Sequence, residues 1–144
     1  MSSLPKLSSP SEKELQTISE RYLDDLEQGL MFVDHYVPVG PGIVDTLALD
    51  SNSNPVIIEY KAVTDAVEEA LVQGMAYASW INKNPDAITR FISEKNPKAL
   101  PKSLGDPRII LVAPSFGRNL IRHLQHLVFS PDKISQRVKR IDVE

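Results

Sequence analysis

Residues 56–61 read Val-Ile-Ile-Glu-Tyr-Lys, and this short run constrains the fold more than any other part of the chain. Three consecutive β-branched aliphatics favour a strand with buried faces. Side chains alternate along a strand, so Ile57, Glu59 and Lys61 share one face while Val56, Ile58 and Tyr60 share the other. A charge closing such a run is costly to bury without a partner. The fold must therefore bring something to Glu59 and Lys61.

Asp45 is the nearest candidate, inside the apolar run Gly42-Ile43-Val44-Asp45-Thr46-Leu47-Ala48-Leu49. The turn-rich segment Asp-Ser-Asn-Ser-Asn-Pro (50–55) joins this run to the next, so the two read as antiparallel neighbours in a hairpin. Carboxylates on adjacent strands repel unless a proton or cation lies between them. A hard divalent cation such as Mg²⁺ or Mn²⁺ accepts two carboxylates plus water, and the Tyr60 carbonyl is a further candidate ligand. A metal held there polarises a phosphoryl group and activates water, while Lys61 offsets charge developing on phosphorus. The plainer alternative is a buried ion pair of Lys61 with Glu59 or Asp45.

Around this centre the pattern is α-β-β-β-α-(α)-β-α-β. Residues 1–10 are rich in Ser and Pro and are expected to be a flexible leader, with residues 11–144 forming one domain. Ser11 and Glu14 make a capping box, which opens a helix carrying Leu15, Ile18, Tyr22, Leu23 and Leu26 and stopping at Gly29. Strands are expected at 31–37, 43–49 and 56–61. A helix follows over 64–80, with a shorter one over 86–93 and a Pro- and Lys-rich loop over 96–107. A buried strand at 108–113, an amphipathic helix at 117–128 and a final edge strand at 134–143 complete the order.

Asp45, then Glu59-Tyr60-Lys61 after a hairpin, then Gln73-Gly-Met-Ala-Tyr77 on a helix resembles the PD-(D/E)xK nuclease superfamily. Gln-x-x-x-Tyr after Glu-x-Lys is similar to the RecB-type branch. The order of a Glu-led helix, an Ile-Asp-like strand, Val-Ile-Glu-x-Lys and a strand ending Val-Ala-Pro-Ser-Phe (112–116) resembles the C-terminal nuclease domain of archaeal EndoMS/NucS-type endonucleases. The resemblance runs from about residue 11 to residue 143. It implies a restriction-endonuclease-like α/β core, a central mixed sheet flanked by helices, and metal-dependent hydrolysis of DNA. Asp45 and Glu59 would be metal ligands, Lys61 the catalytic lysine, and Gln73 and Tyr77 supports of the site or contacts to the DNA backbone. Taken singly, Gln73 reads equally as a solvent-facing residue and Tyr77 as a core aromatic. Glu12 matches the acidic residue such families carry in the first helix; Glu14 competes, but capping Ser11 already accounts for it. The chain departs from the pattern in having Val44 before Asp45 and Tyr60 inside Glu-x-Lys. It also matches only the nuclease domain of its look-alike, so mismatch specificity is not carried over.

Charge distribution bears on the partner. The formal net charge of −3 is unremarkable, but residues 1–61 hold 4 basic and 10 acidic side chains, and residues 98–144 hold 9 basic and 4 acidic. Arg118, Arg122, Lys139 and Arg140 are candidates for a phosphate-binding surface, and edge-strand charges that block aggregation are the alternative. His35, His123 and His126 lack the partners of a zinc site. With no cysteine, disulfide frameworks and thiolate metal centres are excluded, and a cytoplasmic setting is expected. No apolar run is long enough to span a membrane. A single domain cutting both strands is expected to pair with a second copy. The function classes in view are thus a Mg²⁺- or Mn²⁺-dependent endonuclease of repair, restriction or defence, and a catalytically silent nucleic-acid-binding module on the same fold.

Overall fold

The computed structural model describes residues 11–62, 67–99, 103–113 and 138–142. Helix α1 (Glu12–Arg21) begins with the capping box, Ser11 Oγ accepting the Glu14 N–H at 3.1 Å and Glu14 Oε1 accepting the Ser11 N–H at 3.3 Å. Such a cap is worth about 1 kcal/mol. The helix does not run to Leu26 as its periodicity suggests. It breaks at Tyr22, which is exposed, and a single turn α2 (Leu23–Leu26) re-aims Leu23 and Leu26 into the core. Gly29, at φ +89°, ends the segment in a conformation that suits glycine.

Five strands follow in spatial order β1-β2-β3-β4-β5: β1 (Met31–Val39), β2 (Gly42–Leu49), β3 (Pro55–Tyr60), β4 (Arg108–Ala113) and β5 (Val138–Asp142). The β1–β2 and β2–β3 pairs are antiparallel, and β3–β4 and β4–β5 are parallel, so the sheet is mixed as expected. β1 continues past Pro38, where the sequence suggested a stop. It is an edge strand, so a missing N–H there costs no ladder bond. The β2–β3 turn is built on Asp50, whose Oδ1 accepts the N–H groups of Asn52 and Asn54, both at 2.9 Å.

Between β3 and β4 lie α3 (Val67–Lys83), α4 (Pro85–Lys95) and a short 3₁₀ turn (Pro97–Ala99) within the expected loop. The sheet is covered on both faces. Leu47, Leu49 and Ile57 pack with Tyr77, Ile81, Ile88 and Ile92 of α3 and α4. Val56, Ile58 and Tyr60 pack with Leu15, Leu23 and Leu26 of α1 and α2. The alternation expected for β3 is thus observed, and Tyr60 turns its ring away from the face of Glu59. α3 lies close on β4: a Cβ on Gly74 would meet Ile109 at 3.1 Å. Arg108 bridges Glu27 (2.6 Å) and Asp50 (2.8 Å), tying α2, the hairpin turn and β4 together. The expected helix over 117–128 lies outside the described residues.

Candidate active site

The β2–β3 ladder pairs Leu49 with Pro55 through to Thr46 with Ile58 and ends there, whereas β3 stays paired with β4 through Glu59 and Tyr60. The next pair in register would be Asp45 with Glu59. Side chains replace the ladder at that point. Glu59 Oε2 accepts the Asp45 N–H at 2.8 Å, and Asp45 Oδ2 accepts the Tyr60 N–H at 3.1 Å. Each carboxylate thus holds the backbone of the opposite strand at a fork in the sheet. Lys61 lies one residue past β3, with its N–H donating to the Val112 carbonyl at 3.0 Å, which keeps it in line with the strand.

This arrangement is electrostatically loaded. Glu59 is 4% exposed. Burial pushes its carboxyl up to about 8, and the Asp45 carboxylate adds to the shift; the Asp45 N–H and Lys61 offset part of it. Asp45 is also raised, again chiefly by burial, with Tyr60 N–H and Lys61 opposing and Glu12 contributing repulsion. Two partly desolvated carboxyls close enough to repel each other fit a hard divalent cation, which would stabilise both ionised forms. Among the described residues no three of His, Cys, Asp and Glu come together as a ready ligand set, so two carboxylates with a backbone carbonyl and water are the donors on offer.

The remaining sequence candidates fall at different distances from this centre. Glu12 is exposed in the first turn of α1, and its charge raises both Asp45 and Glu59. Glu14 caps Ser11, as expected. Tyr77 is buried; its hydroxyl bonds the backbone of Ile43, lies against Gly42 and is within the field of Glu59 and Asp45. Gln73 is half-buried on α3, one turn before Tyr77. Lys139 sits at the opposite end, its Nζ 3.5 Å from Glu27 Oε1. Arg118 and Arg122, the side chain of Arg140, His123 and His126 lie outside the described residues. His35 places Nδ1 3.2 Å from Glu20 Oε1.

A polar group that the motif reading missed lies on the α1 side. Gln16, buried, donates from Nε2 to the Asp45 carbonyl at 3.0 Å and to Glu20 Oε2 at 3.1 Å. Thr46 Oγ1 donates to Glu20 at 2.6 Å, so its 3.0 Å bond with Tyr60 is donated by the phenol. Tyr60, the unusual residue inside Glu-x-Lys, is therefore anchored on the α1 face by Thr46. The signal was in the spacing: Glu12, Gln16 and Glu20 follow one another at i+4 and form one polar stripe.

No protein-family model matches the chain, and no curated protein does. Solved structures do. A complex of EndoMS with double-stranded DNA is similar over 97% of this chain and 47% of its own, with a TM-score of 0.60 and 23% identity. The crystal structure of a repair endonuclease from Pyrococcus abyssi is similar over 97% of this chain and 50% of its own, with a TM-score of 0.57 and 22% identity. EndoMS in its apo form gives a TM-score of 0.54 at 23% identity. The chain spans about half the length of these proteins. The fold expected from the EndoMS/NucS resemblance is therefore the fold observed.

Proposed function

We propose that this chain is a divalent-metal-dependent nuclease domain that hydrolyses DNA phosphodiester bonds. The observation that carries the reading is the Asp45–Glu59 fork, where a half-buried and a buried carboxyl on neighbouring strands each hold the other strand's backbone, with Lys61 next in line at the end of a central strand. A structural ion pair would place one cation against one anion; here neither carboxylate is closed off by a direct salt bridge to Lys61, whose charge only partly offsets their burial. The fold held in common with repair endonucleases supports the same reading.

Asp45 and Glu59 would hold Mg²⁺ or Mn²⁺, with the Tyr60 carbonyl beside them, while Glu12 would act on the site from α1 through its charge and not as a third direct ligand. Bound there, the metal supplies Lewis acidity toward the phosphoryl oxygen and lowers the pKa of a water. Lys61 orients the attacking water and offsets charge at phosphorus. Tyr77, bonded to the Ile43 backbone, steadies the start of β2, and Gln73 lies one turn away on the same helix for contact with the DNA backbone. Arg118, Arg122 and Arg140 are proposed to add charge for the phosphates, whereas Lys139, held by Glu27 at the far end of the sheet, is set aside from that role; pairing of two copies would allow both strands to be cut.

Cleavage of labelled plasmid and short DNA substrates in Mg²⁺ or Mn²⁺ tests this directly. Wild type should cut, and Glu59→Ala and Lys61→Ala should lose activity by about 10²-fold or more while remaining folded by circular dichroism. Equal cleavage by the variants, or none by wild type, would favour the silent binding module instead.

A further inference from the structure

The backbone of Asp45 is satisfied in an unusual way. On its β3 side the ladder has ended, and its N–H goes to Glu59. On its β1 side the register passes from His35–Thr46 to Val37–Val44, and the intervening Tyr36 has a left-handed backbone with φ +53°. A non-glycine residue in that region is strained. Among the described residues Asp45 has no strand partner on either side, and its carbonyl is met by Gln16.

Gln16 is fully committed in that role. One amide N–H goes to the Asp45 carbonyl and the other to Glu20, while Oε1 accepts the hydroxyl of Tyr36 at 3.2 Å. Flipping the amide would set its oxygen against a carbonyl and a carboxylate, so its orientation is forced. The turned Tyr36 thus both interrupts the ladder opposite Asp45 and completes the hydrogen bonding of the amide that replaces it.

We propose that Gln16 is a positioning residue for Asp45, fixing from α1 the backbone that aims the Asp45 carboxylate at the metal. This rests on the nuclease reading and deepens it. Regular β pairing would hold Asp45 in the plane of the sheet. Exchange of that pairing for one side-chain bond to the N–H and one to the carbonyl lets the carboxylate turn across the fork to Tyr60 while the main chain stays anchored. Residues that orient a ligand without touching the metal commonly contribute about 10–100-fold in affinity or rate.

The test compares wild type with Gln16→Met, which keeps length and helix preference but removes the amide, and with Tyr36→Phe, which leaves the amide in place and removes the bond to its oxygen. Three quantities are measured: Mn²⁺ affinity by calorimetry, kcat and KM for DNA cleavage, and the thermal midpoint. Gln16→Met should weaken Mn²⁺ about tenfold and lower kcat about tenfold, with KM within about twofold. Tyr36→Phe should move the same two quantities in the same direction by a smaller factor, and it reads the proposal should Gln16→Met not fold. A lowered thermal midpoint with wild-type Mn²⁺ affinity and kcat in the folded protein would overturn the positioning role and leave Gln16 a structural residue. Wild type inert toward both Mn²⁺ and DNA would instead overturn the nuclease reading, and this inference with it.

Discussion

The carboxylate of Glu59 accepts the backbone N–H of Asp45 at 2.8 Å, so each member of the acidic pair depends on the other strand's position. The bond favours the ionised form of Glu59, while burial and the neighbouring Asp45 carboxylate oppose it and prevail. The stability and metal affinity of the site are consequently both tied to pH.

Without metal, the protein should lose stability as pH rises from about 5 to about 8. Glu59 has a folded value of about 8 against an ordinary carboxylate value of 4.5. In that window the native state therefore binds a proton that the unfolded chain has released. Its contribution is fully present below the unfolded value and is lost as pH rises through the folded one. The slope reaches about 1.4 kcal/mol per pH unit at most. Glu59→Gln, neutral in both states, should flatten it, and denaturant titrations at a series of pH values read this out.

Mn²⁺ binding should strengthen as pH rises from about 6 to 8, because the cation must displace the proton held on Glu59. Calorimetry in buffers of different ionisation enthalpy should detect a released proton. Asp45→Ala should abolish the binding, and unchanged binding in that variant would remove the fork as the metal site.

Arg108→Met should destabilise the protein by about 2–3 kcal/mol, less than for a fully buried ion pair because the group is partly exposed. The guanidinium holds Glu27 below the usual carboxylate range. Burial of Asp50 opposes ionisation but is outweighed by hydrogen bonds from Asn54 and Arg108. For these lowered groups stability is present above the unfolded value and lost as pH falls through the folded one. Wild type should therefore weaken below about pH 4, and the variant should show a shallower acid loss.

Thr46→Val should cost about 1–3 kcal/mol, since it leaves the buried Tyr60 hydroxyl without its acceptor and removes one of the two bonds to Glu20 Oε2. Thr46→Ser, which retains the hydroxyl, should lose far less. A wild-type thermal midpoint for Val together with a lowered one for Ser would mean that the methyl, not the hydroxyl, carries the effect.

Much of this was legible in the sequence because it depends on local chemistry. The capping box at Ser11, the Asx-type turn at Asp50 and the alternation of β3 need only near neighbours and a two-residue period, so the residue types declare them. Asp45, Glu59 and Lys61 stood out because charges inside apolar runs demand partners.

Other features are properties of packing. The break at Tyr22 depends on what lies beneath α2, and the extension of β1 through Pro38 depends on its being an edge. The fork at Asp45 arises from strands separating in space, and Gln16 reaches it across 29 residues of chain. The sequence by itself determined which residues must be buried together and which charges must be answered, because hydrophobicity and alternation are local. Only the tertiary structure decided which groups answer them: hydrogen bonds form between atoms about 3 Å apart, and sequence spacing does not specify that distance.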